Sequence, residues 1–474
     1  MFLGQAPRLD HLLERSECRI EITRLDCPQG LLNLGFDLGR SRVEALHQLA
    51  GLDLPSFVAA ECQHAHSRRH HNQHHQPDQQ SFHKHSRFTV RLAQACTITP
   101  GMAKEKTPVA SGLVFASSRG VEVTIRVAEL RLAHRWAIAR SLAVDGLGGS
   151  ESCPVVVLEL KDAEGHRGLG EASPSRRYGE NVGTVIEFLE RIDPHQLSPK
   201  DIAGSMSYLE TVAPGNHAAK GAVNLALLDV ASRRADQPLY DYLGLGFTEG
   251  KHVTSFSIGI DTPDAVRRKA AAALDYPILK LKLGSPRDHE NLAELRHVAP
   301  DKPLRVDANE AWQSKDEALR RIEWLAEAAQ PIQFVEQPMP AGLDARQHAW
   351  LKERSPIPIM ADESYLGPAD VSRCADTFHS VNVKLTKTAG ISGAMEALRA
   401  ARRAGLQTMI GCMIETSILI TAAAHLAELS DYLDIDGNLL ITNDPYVGAT
   451  ADRGALSFAN TPDPFGLRVR EALG

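Results

Sequence analysis

Seven short apolar segments in the second half of the chain end in residues that buried strands rarely carry. They are Lys280-Leu281-Lys282, Asp307-Ala308-Asn309, Glu336-Gln337-Pro338, Asp362-Glu363-Ser364, Asn382-Val383-Lys384, Gly411-Cys412-Met413 and Asp434-Ile435-Asp436. Any one of them alone could belong to an ordinary salt-bridge network; seven in succession ask for a common cause. Side chains alternate across a strand, so Lys280 and Lys282 point the same way, and so do Asp434 and Asp436. Two inward lysines on a buried strand are costly unless carboxylates or a metal site lie nearby. Asp307, Glu336 and Asp362 end three consecutive segments and are expected to converge on one point. Three hard oxygen donors without histidine or cysteine suit a magnesium ion that keeps open positions for substrate oxygens. Lys282 and Lys384 would then flank that ion from opposite sides. Two bases facing one carbon are what removal and return of an α-proton requires, with the ion stabilising the charge that develops. Neighbouring positive charge is expected to lower the lysine pKa values toward neutrality, with Lys280 depressing Lys282.

The elements that must position these residues repeat at a period of roughly 22 to 29 residues, a βα-unit rhythm. Strands are expected to begin near Ser255, Leu279, Leu304, Phe334, Ile359, Val381, Met409 and Leu433, with amphipathic helices between them such as 316–329 and 392–404. Eight such units predict a (β/α)8-like barrel of the modified TIM type over residues 251–450, and barrels of this kind carry their chemistry at the strand C-termini. Residues 121–250 read differently. Strands at Val121–Leu132 and Pro154–Leu160 precede helical patterns that include Ala218–Asp236. That order predicts a small α+β capping domain. The glycine-rich stretch from Ala139 to Gly149 between the two strands is a mobile lid or an ordinary hairpin connection. Residues 451–474 are expected to return to the cap.

The strand ends resemble the muconate-lactonizing subgroup of the enolase superfamily. Asp434-Ile435-Asp436, preceded by Gly411-Cys412-Met413-Ile414-Glu415-Thr416, resembles the dipeptide epimerases within it. The likeness runs from about Val121 almost to the C-terminus and includes Gly170-Glu171-Ala172-Ser173-Pro174. It implies Asp307, Glu336 and Asp362 as ligands of one Mg2+ per subunit and Lys282 and Lys384 as the acid/base pair. Lys280 would touch the substrate carboxylate, and Asp434 and Asp436 would hold the substrate ammonium, as two carboxylates meeting a cation also suggest physically. Ser255, Cys412 and Ile414 match positions lining the substrate, and Asn309 fits a supporting role beside the metal. A family arginine in the first loop falls at Arg140 if an offset of one residue is allowed. Lys387, just beyond Lys384, is expected to be solvated. The implied activity is epimerisation of a dipeptide at its C-terminal residue, such as L-Ala-D/L-Glu from cell-wall peptides. Two alternatives stand beside it: a muconate cycloisomerase or o-succinylbenzoate synthase-like reaction, and an inactive ligand-binding relative. The paired aspartates count against the first, whose substrates offer no ammonium, and the complete metal and lysine set counts against the second.

Composition agrees with a soluble globular protein: 43% of the 474 residues are hydrophobic, 23% are charged, and the formal net charge is −7. A net negative charge gives no reason to expect nucleic acid. No apolar run is long enough to span a bilayer, and the N-terminus lacks a signal-peptide core. The 7 cysteines (Cys18, Cys27, Cys62, Cys96, Cys153, Cys374 and Cys412) are scattered and odd in number, which predicts reduced thiols and a cytoplasmic protein. Family resemblance predicts a homo-oligomer. Residues 1–120 fall outside the likeness. His64 to His85 is rich in histidine and glutamine, a composition that cannot bury a core and is expected to be disordered rather than metal-binding. Met102 follows it, leaving open a dispensable extension or a start codon placed too early.

Overall fold

The computed structural model describes residues 113–116, 121–143 and 148–472. The histidine-rich tract and Met102 lie outside the described residues. A first strand, β1 (Leu113–Ala116), pairs antiparallel with β2 (Glu122–Trp136), so ordered structure begins inside the segment expected to be unstructured up to residue 120. β2 runs on into β3 (Ser150–Lys161) and β4 (Arg167–Ala172), giving a four-stranded antiparallel sheet in the order β1-β2-β3-β4. Both long strands extend beyond their expected ends because cross-strand pairing continues past the apolar stretch, from Glu122–Lys161 to Arg131–Ser152. The connection between them closes as a hairpin, with a bridge between Leu142 and Gly148.

Three helices follow: α1 (Val182–Glu190), α2 (Ile202–Val212) and α3 (His217–Arg234). Asn181 and Asp201 cap the first two through bonds from the Thr184 and Gly204 amides. α3 is buried from Ala218 to Ser232, as a helix apolar on nearly all sides must be. It lies against β4 at glycine distance: a Cβ on Gly170 would fall 1.9 Å from the Ala222 carbonyl oxygen, and one on Gly168 would fall 2.1 Å from that of Ala226. Sheet and helices share a core of Val123, Leu158, Phe188, Leu209, Ala222 and Val223, among others.

After a short helix, α4 (Leu239–Tyr242), the barrel strands follow in chain order. They are β5 (Phe256–Ile258), β6 (Leu279–Lys282), β7 (Leu304–Asp307), β8 (Ile332–Glu336), β9 (Ile359–Ala361), β10 (Ser380–Lys384), β11 (Gln407–Gly411) and β12 (Tyr432–Asp434). All are parallel and each pairs with its sequence neighbour. A parallel bridge between Thr254 and Leu433, with the Ser255 amide donating to the Leu433 carbonyl at 3.3 Å, brings the two ends of the sheet together. Helices α5 (Pro263–Ala272), α6 (Asp288–Val298), α7 (Lys315–Ala328), α8 (Ala345–Arg354), α9 (Val371–Thr377), α10 (Ile391–Arg403) and α11 (Ser417–Ala424) connect them. Gly405 ends the turn after α10 with φ +79°, a conformation open to glycine at little cost.

The eighth unit departs from expectation. β12 is followed by a single 3-10 turn, Gly437–Leu440, in place of a full helix, and the chain then returns to the cap. There the Asn443 side chain bonds the backbone of Arg131 and Glu129, and Leu467 N–H donates to Asp229 of α3 at 2.8 Å. Glu471 meets Arg126 of β2 at 2.8 Å. The chain after β12 is thus spent on contacts with the cap. Among the described residues no helix is long and apolar enough to cross a membrane.

Candidate active site

The interior of the barrel is built in layers because inward residues recur every second position. Lys282, Asp307 and Glu336 are register partners on β6, β7 and β8, and Lys384, Gly411 and Asp434 are register partners on β10, β11 and β12. With Asp362 just past β9 they form the mouth. Lys282 on the second barrel strand and Lys384 on the sixth face one another across the ring. Asp307, Glu336 and Asp362 are at most 1% exposed.

Such a density of buried charge is tolerable only when it is neutralised locally. Lys280 Nζ lies 2.5 Å from Asp434 Oδ2, 2.6 Å from Glu336 Oε2 and 3.3 Å from Asp307 Oδ2. Lys282 donates to Asp307 Oδ2 at 2.6 Å, and Lys384 donates to Asp362 Oδ2 at 2.8 Å. The acids are therefore held by ammonium groups, and among the described residues no three acidic, histidine or cysteine side chains form a cluster by themselves.

Titration follows this pairing. Burial raises the Asp362 pKa, but Lys384 and Lys387 outweigh it and hold the carboxyl well below the usual range. Asp307 is lowered likewise by Lys282 and Lys280 against its burial. Glu336 is pushed up to about 7 by burial and by the Asp307 charge. Lys384 does not follow the expected lowering. Burial disfavours its ammonium, yet Asp362 raises it well above the ordinary lysine value. Lys280 behaves in the same way, with Asp434, Glu336 and Asp307 overcoming burial. Lysines this close to carboxylates answer to negative charge before they answer to one another.

Lys387 also corrects expectation. It is 3% exposed rather than solvated, and it donates to Asp362 Oδ1 at 2.6 Å, to the Asp362 carbonyl at 2.7 Å and to the Asn382 carbonyl at 3.1 Å. The turn after β10 folds it back under the mouth, where the Lys387 amide donates to the Lys384 carbonyl at 3.0 Å.

The two aspartates of β12 differ. Asp434 accepts from Ser255 Oγ at 2.7 Å as well as from Lys280, and these partners hold its pKa down despite burial. Asp436 accepts the Ser257 amide at 2.6 Å through Oδ2, while Cys412 Sγ stands 4.0 Å from its Oδ1. Burial and the charge of Asp434 push Asp436 up to about 7. Cys412 is half-buried, and burial with Glu415 and Asp436 nearby keeps its thiol protonated. Ile414 packs in an apolar cluster with Leu130, Val155 and Ile441 between cap and barrel, while its carbonyl accepts from Ser173 Oγ at 2.9 Å.

Asn309 supports Asp307 through its backbone: its amide donates to Asp307 Oδ1 at 2.9 Å, and its side-chain oxygen makes no hydrogen bond. Arg140 reaches the mouth from the cap. It pairs closely with Glu363 and donates to Glu310 Oε2 and to the Asn309 carbonyl, each at 3.3 Å. Arg177, also from the cap, grips Glu310 through two bonds of 2.7 Å.

Sequence reasoning passed over several of these residues. Arg305 stands two positions before Asp307, the same spacing that flagged Lys280 and Lys282, so the signal was present. Glu310 and Arg177 are distant in sequence and carried no signal. Glu171 lay in a recognised motif without a role. It accepts Thr416 N–H at 2.9 Å, Thr416 Oγ1–H at 2.5 Å and Leu419 N–H at 3.3 Å, so a cap carboxylate closes the N-terminus of barrel helix α11.

The donor set nevertheless fits a hard divalent cation. Glu336 Oε2 is buried without a hydrogen-bond partner, since its contact with Lys280 lies outside hydrogen-bonding geometry. Asp307 and Glu336 are register partners, and all three acids offer oxygen alone. Lys280, Lys282 and Lys384 are each long and flexible enough to yield their place to an ion.

A family model for the mandelate racemase / muconate lactonizing enzyme N-terminal domain matches residues 131–244. One described as enolase C-terminal domain-like matches residues 264–443. An L-Ala-D/L-amino acid epimerase of Pedosphaera parvula is 57% identical over 342 residues, covering 72% of this chain and 97% of that protein. The chain belongs to the dipeptide epimerase family of the enolase superfamily. An L-Ala-D/L-Glu epimerase of Bacteroides thetaiotaomicron is 35% identical over 390 residues, 81% of this chain and 98% of its own. Among solved structures, a Cytophaga hutchinsonii dipeptide epimerase complexed with Mg and D-Ala-L-Val superposes with a TM-score of 0.67 at 29% identity, covering 75% of this chain and 96% of that one. The substrate-liganded L-Ala-D/L-Glu epimerase of Bacillus subtilis gives 0.68 at 27% identity, with 75% and 100% covered.

Proposed function

We propose that this protein is a dipeptide epimerase that uses Mg2+ and moves the α-proton of the dipeptide's C-terminal residue from one face to the other. The observation that carries the reading is the pair of lysines on the second and sixth strands, each resting on a carboxylate of the same three-acid set. Asp307, Glu336 and Asp362 would hold the ion, which when bound supplies positive charge beside the carboxylate as its α-proton leaves. Lys282 and Lys384 take and return the proton on opposite faces. Lys280 meets the substrate carboxylate, and Asn309 steadies Asp307 through its amide. Asp434 and Asp436 hold the N-terminal ammonium, with Asp436 the freer of the two because Lys280 already occupies its neighbour. Ser255, Cys412, Ile414 and Arg140 bound the space around the dipeptide.

The same reading divides the chain near residues 121, 250 and 450, and places the enzyme in the cytoplasm as a homo-oligomer. Support for the compartment comes from Cys153, Cys374 and Cys412, which are all free thiols. Support for assembly comes from family resemblance alone.

The test is an epimerisation assay against a small dipeptide library in the presence of Mg2+, with L-Ala-L-Glu and neutral L-Ala dipeptides among its members. Interconversion of C-terminal epimers, abolished by EDTA and restored by Mg2+, is expected. An enzyme that is active when stripped of metal, or that epimerises no dipeptide of the library, overturns the assignment.

A further inference from the structure

Lys387 is the one buried ammonium at the mouth for which the proposed chemistry has no use. It makes three bonds, to the residue just past β9 and to β10: Asp362 Oδ1 at 2.6 Å, Asp362 O at 2.7 Å and Asn382 O at 3.1 Å. Its partner Asp362 uses its two oxygens differently, with Oδ1 taken by Lys387 and Oδ2 facing Lys384 at 2.8 Å. A carboxylate rotates freely about its last torsion unless something fixes one oxygen. Lys387 fixes it, and its other two contacts are the main-chain carbonyls of Asp362 and Asn382. Asn382 adds a second tie of the same kind: its carbonyl accepts from Lys387, while its side chain donates to Glu336 Oε1 at 2.7 Å. Gly411 makes room for this, because a Cβ there would fall 2.5 Å from Asn382 Oδ1.

We infer that Lys387 is a positioning residue. It orients Asp362 so that Oδ2 is presented to the ion and to Lys384, and it never touches the substrate. The inference rests on the proposed metal site. A solvated lysine three residues beyond a catalytic one would be replaceable; a lysine with two bonds to Asp362 and a third to Asn382 is not.

The experiment titrates Mg2+ into folded protein by calorimetry for wild type, Lys387→Met, Asp362→Asn and the double variant, with circular dichroism as a check on folding. Partners that orient a metal ligand usually contribute 10- to 100-fold in metal affinity, so Lys387→Met is expected to weaken Mg2+ binding by about that factor. In the Asp362→Asn background the same substitution should cost little further, because the group it orients is already gone. If Lys387→Met does not fold, Lys387→Gln is judged by the same criteria. A purely structural lysine would lower the melting temperature and leave Mg2+ affinity intact; that result, with Asp362→Asn still impaired, overturns the inference. Wild-type affinity in Asp362→Asn would instead overturn the metal assignment beneath it.

Discussion

The mouth of the barrel and the layer one step below it solve the problem of buried polarity in opposite ways. Two residues before five of the mouth positions, roughly 7 Å deeper along the strand, stand Arg305, Phe334, Met360, Met409 and Tyr432; the other two are Lys280, whose ammonium reaches the mouth acids, and Asn382. Phe334, Met360 and Met409 form an apolar cluster with Tyr432 against it. Arg305 lies over the Phe334 and Tyr432 rings at 5.5 and 5.4 Å. It has no ion pair: it donates to Gln333 Oε1 at 2.8 Å, to Ser255 Oγ at 3.1 Å and to the Leu433 carbonyl. Burial lowers its pKa, against the pull of Asp434 and other acids. The Arg305 charge is thus satisfied by neutral partners and aromatic faces. At the mouth, ammonium meets carboxylate, and the pairs made by Lys280, Lys282 and Lys384 can exchange a partner for an ion or a substrate group. Stability resides in the first arrangement and chemistry in the second.

The sharpest way to break this comparison is at the two lysines. Lys282→Ala and Lys384→Ala should each stop epimerisation, losing at least the roughly 10²- to 10⁴-fold of a positioned acid/base group. In deuterium oxide each variant should still exchange the α-proton of one epimer, and the two variants should choose opposite epimers. Exchange of both epimers by both variants would leave a one-base mechanism in place of the pair.

The deeper layer should answer in stability. Arg305→Met leaves buried acceptors without a donor and is expected to cost roughly 2–4 kcal/mol in urea unfolding. Mg2+ affinity should hardly change. A variant as stable as wild type that had lost the metal would erase the distinction between the layers.

Asp436→Asn sharpens the comparison within the mouth. Losing one carboxylate toward an exchangeable ammonium should raise KM for a dipeptide by about tenfold, near 1.4 kcal/mol, with a smaller effect on kcat. An N-acetylated dipeptide, which lacks the ammonium, should not distinguish the variant from wild type. Equal impairment of both substrates would remove Asp436 from ammonium recognition.

A buried group satisfied by the backbone should show itself in the pH dependence of stability. His425 accepts the Tyr240 amide at 3.1 Å on Nδ1 and lies 3.0 Å from the Leu467 carbonyl on Nε2, so the ring is neutral with its proton on Nε2. Burial pushes its pKa down from 6.5 to about 3. As pH falls, the unfolded chain takes up this proton first. The contribution is therefore complete above about 6.5 and is lost at about 1.4 kcal/mol per pH unit down to about pH 3. His425→Phe should lower stability at pH 7.5 while flattening this part of the acid limb, as read by urea midpoints between pH 7 and 5. An unchanged slope would mean that His425 is not the titrating group.

What the sequence determined by itself was the rhythm and the inward residues. Strand and helix alternation, and the period of two along each strand, depend on near neighbours, and a chain states these outright. That is why Lys280, Lys282, Asp307, Glu336, Asp362, Lys384, Asp434 and Asp436 were legible in the order of residues alone, and why all of them meet at the barrel mouth. The expected strand starts at Leu279, Leu304 and Ile359 coincide with those observed. What only the tertiary structure decided was which charge answers which. Lys387 has no local reason to turn inward; the turn after β10 aims it at Asp362 on another strand. Lys384 was expected to be lowered by positive neighbours, but the acid it meets comes from 22 residues earlier. Arg177 meets Glu310 across 133 residues, and Glu171 closes a helix 245 residues away. Electrostatic energy depends on distance and burial in space, and neither is written in the separation along the chain.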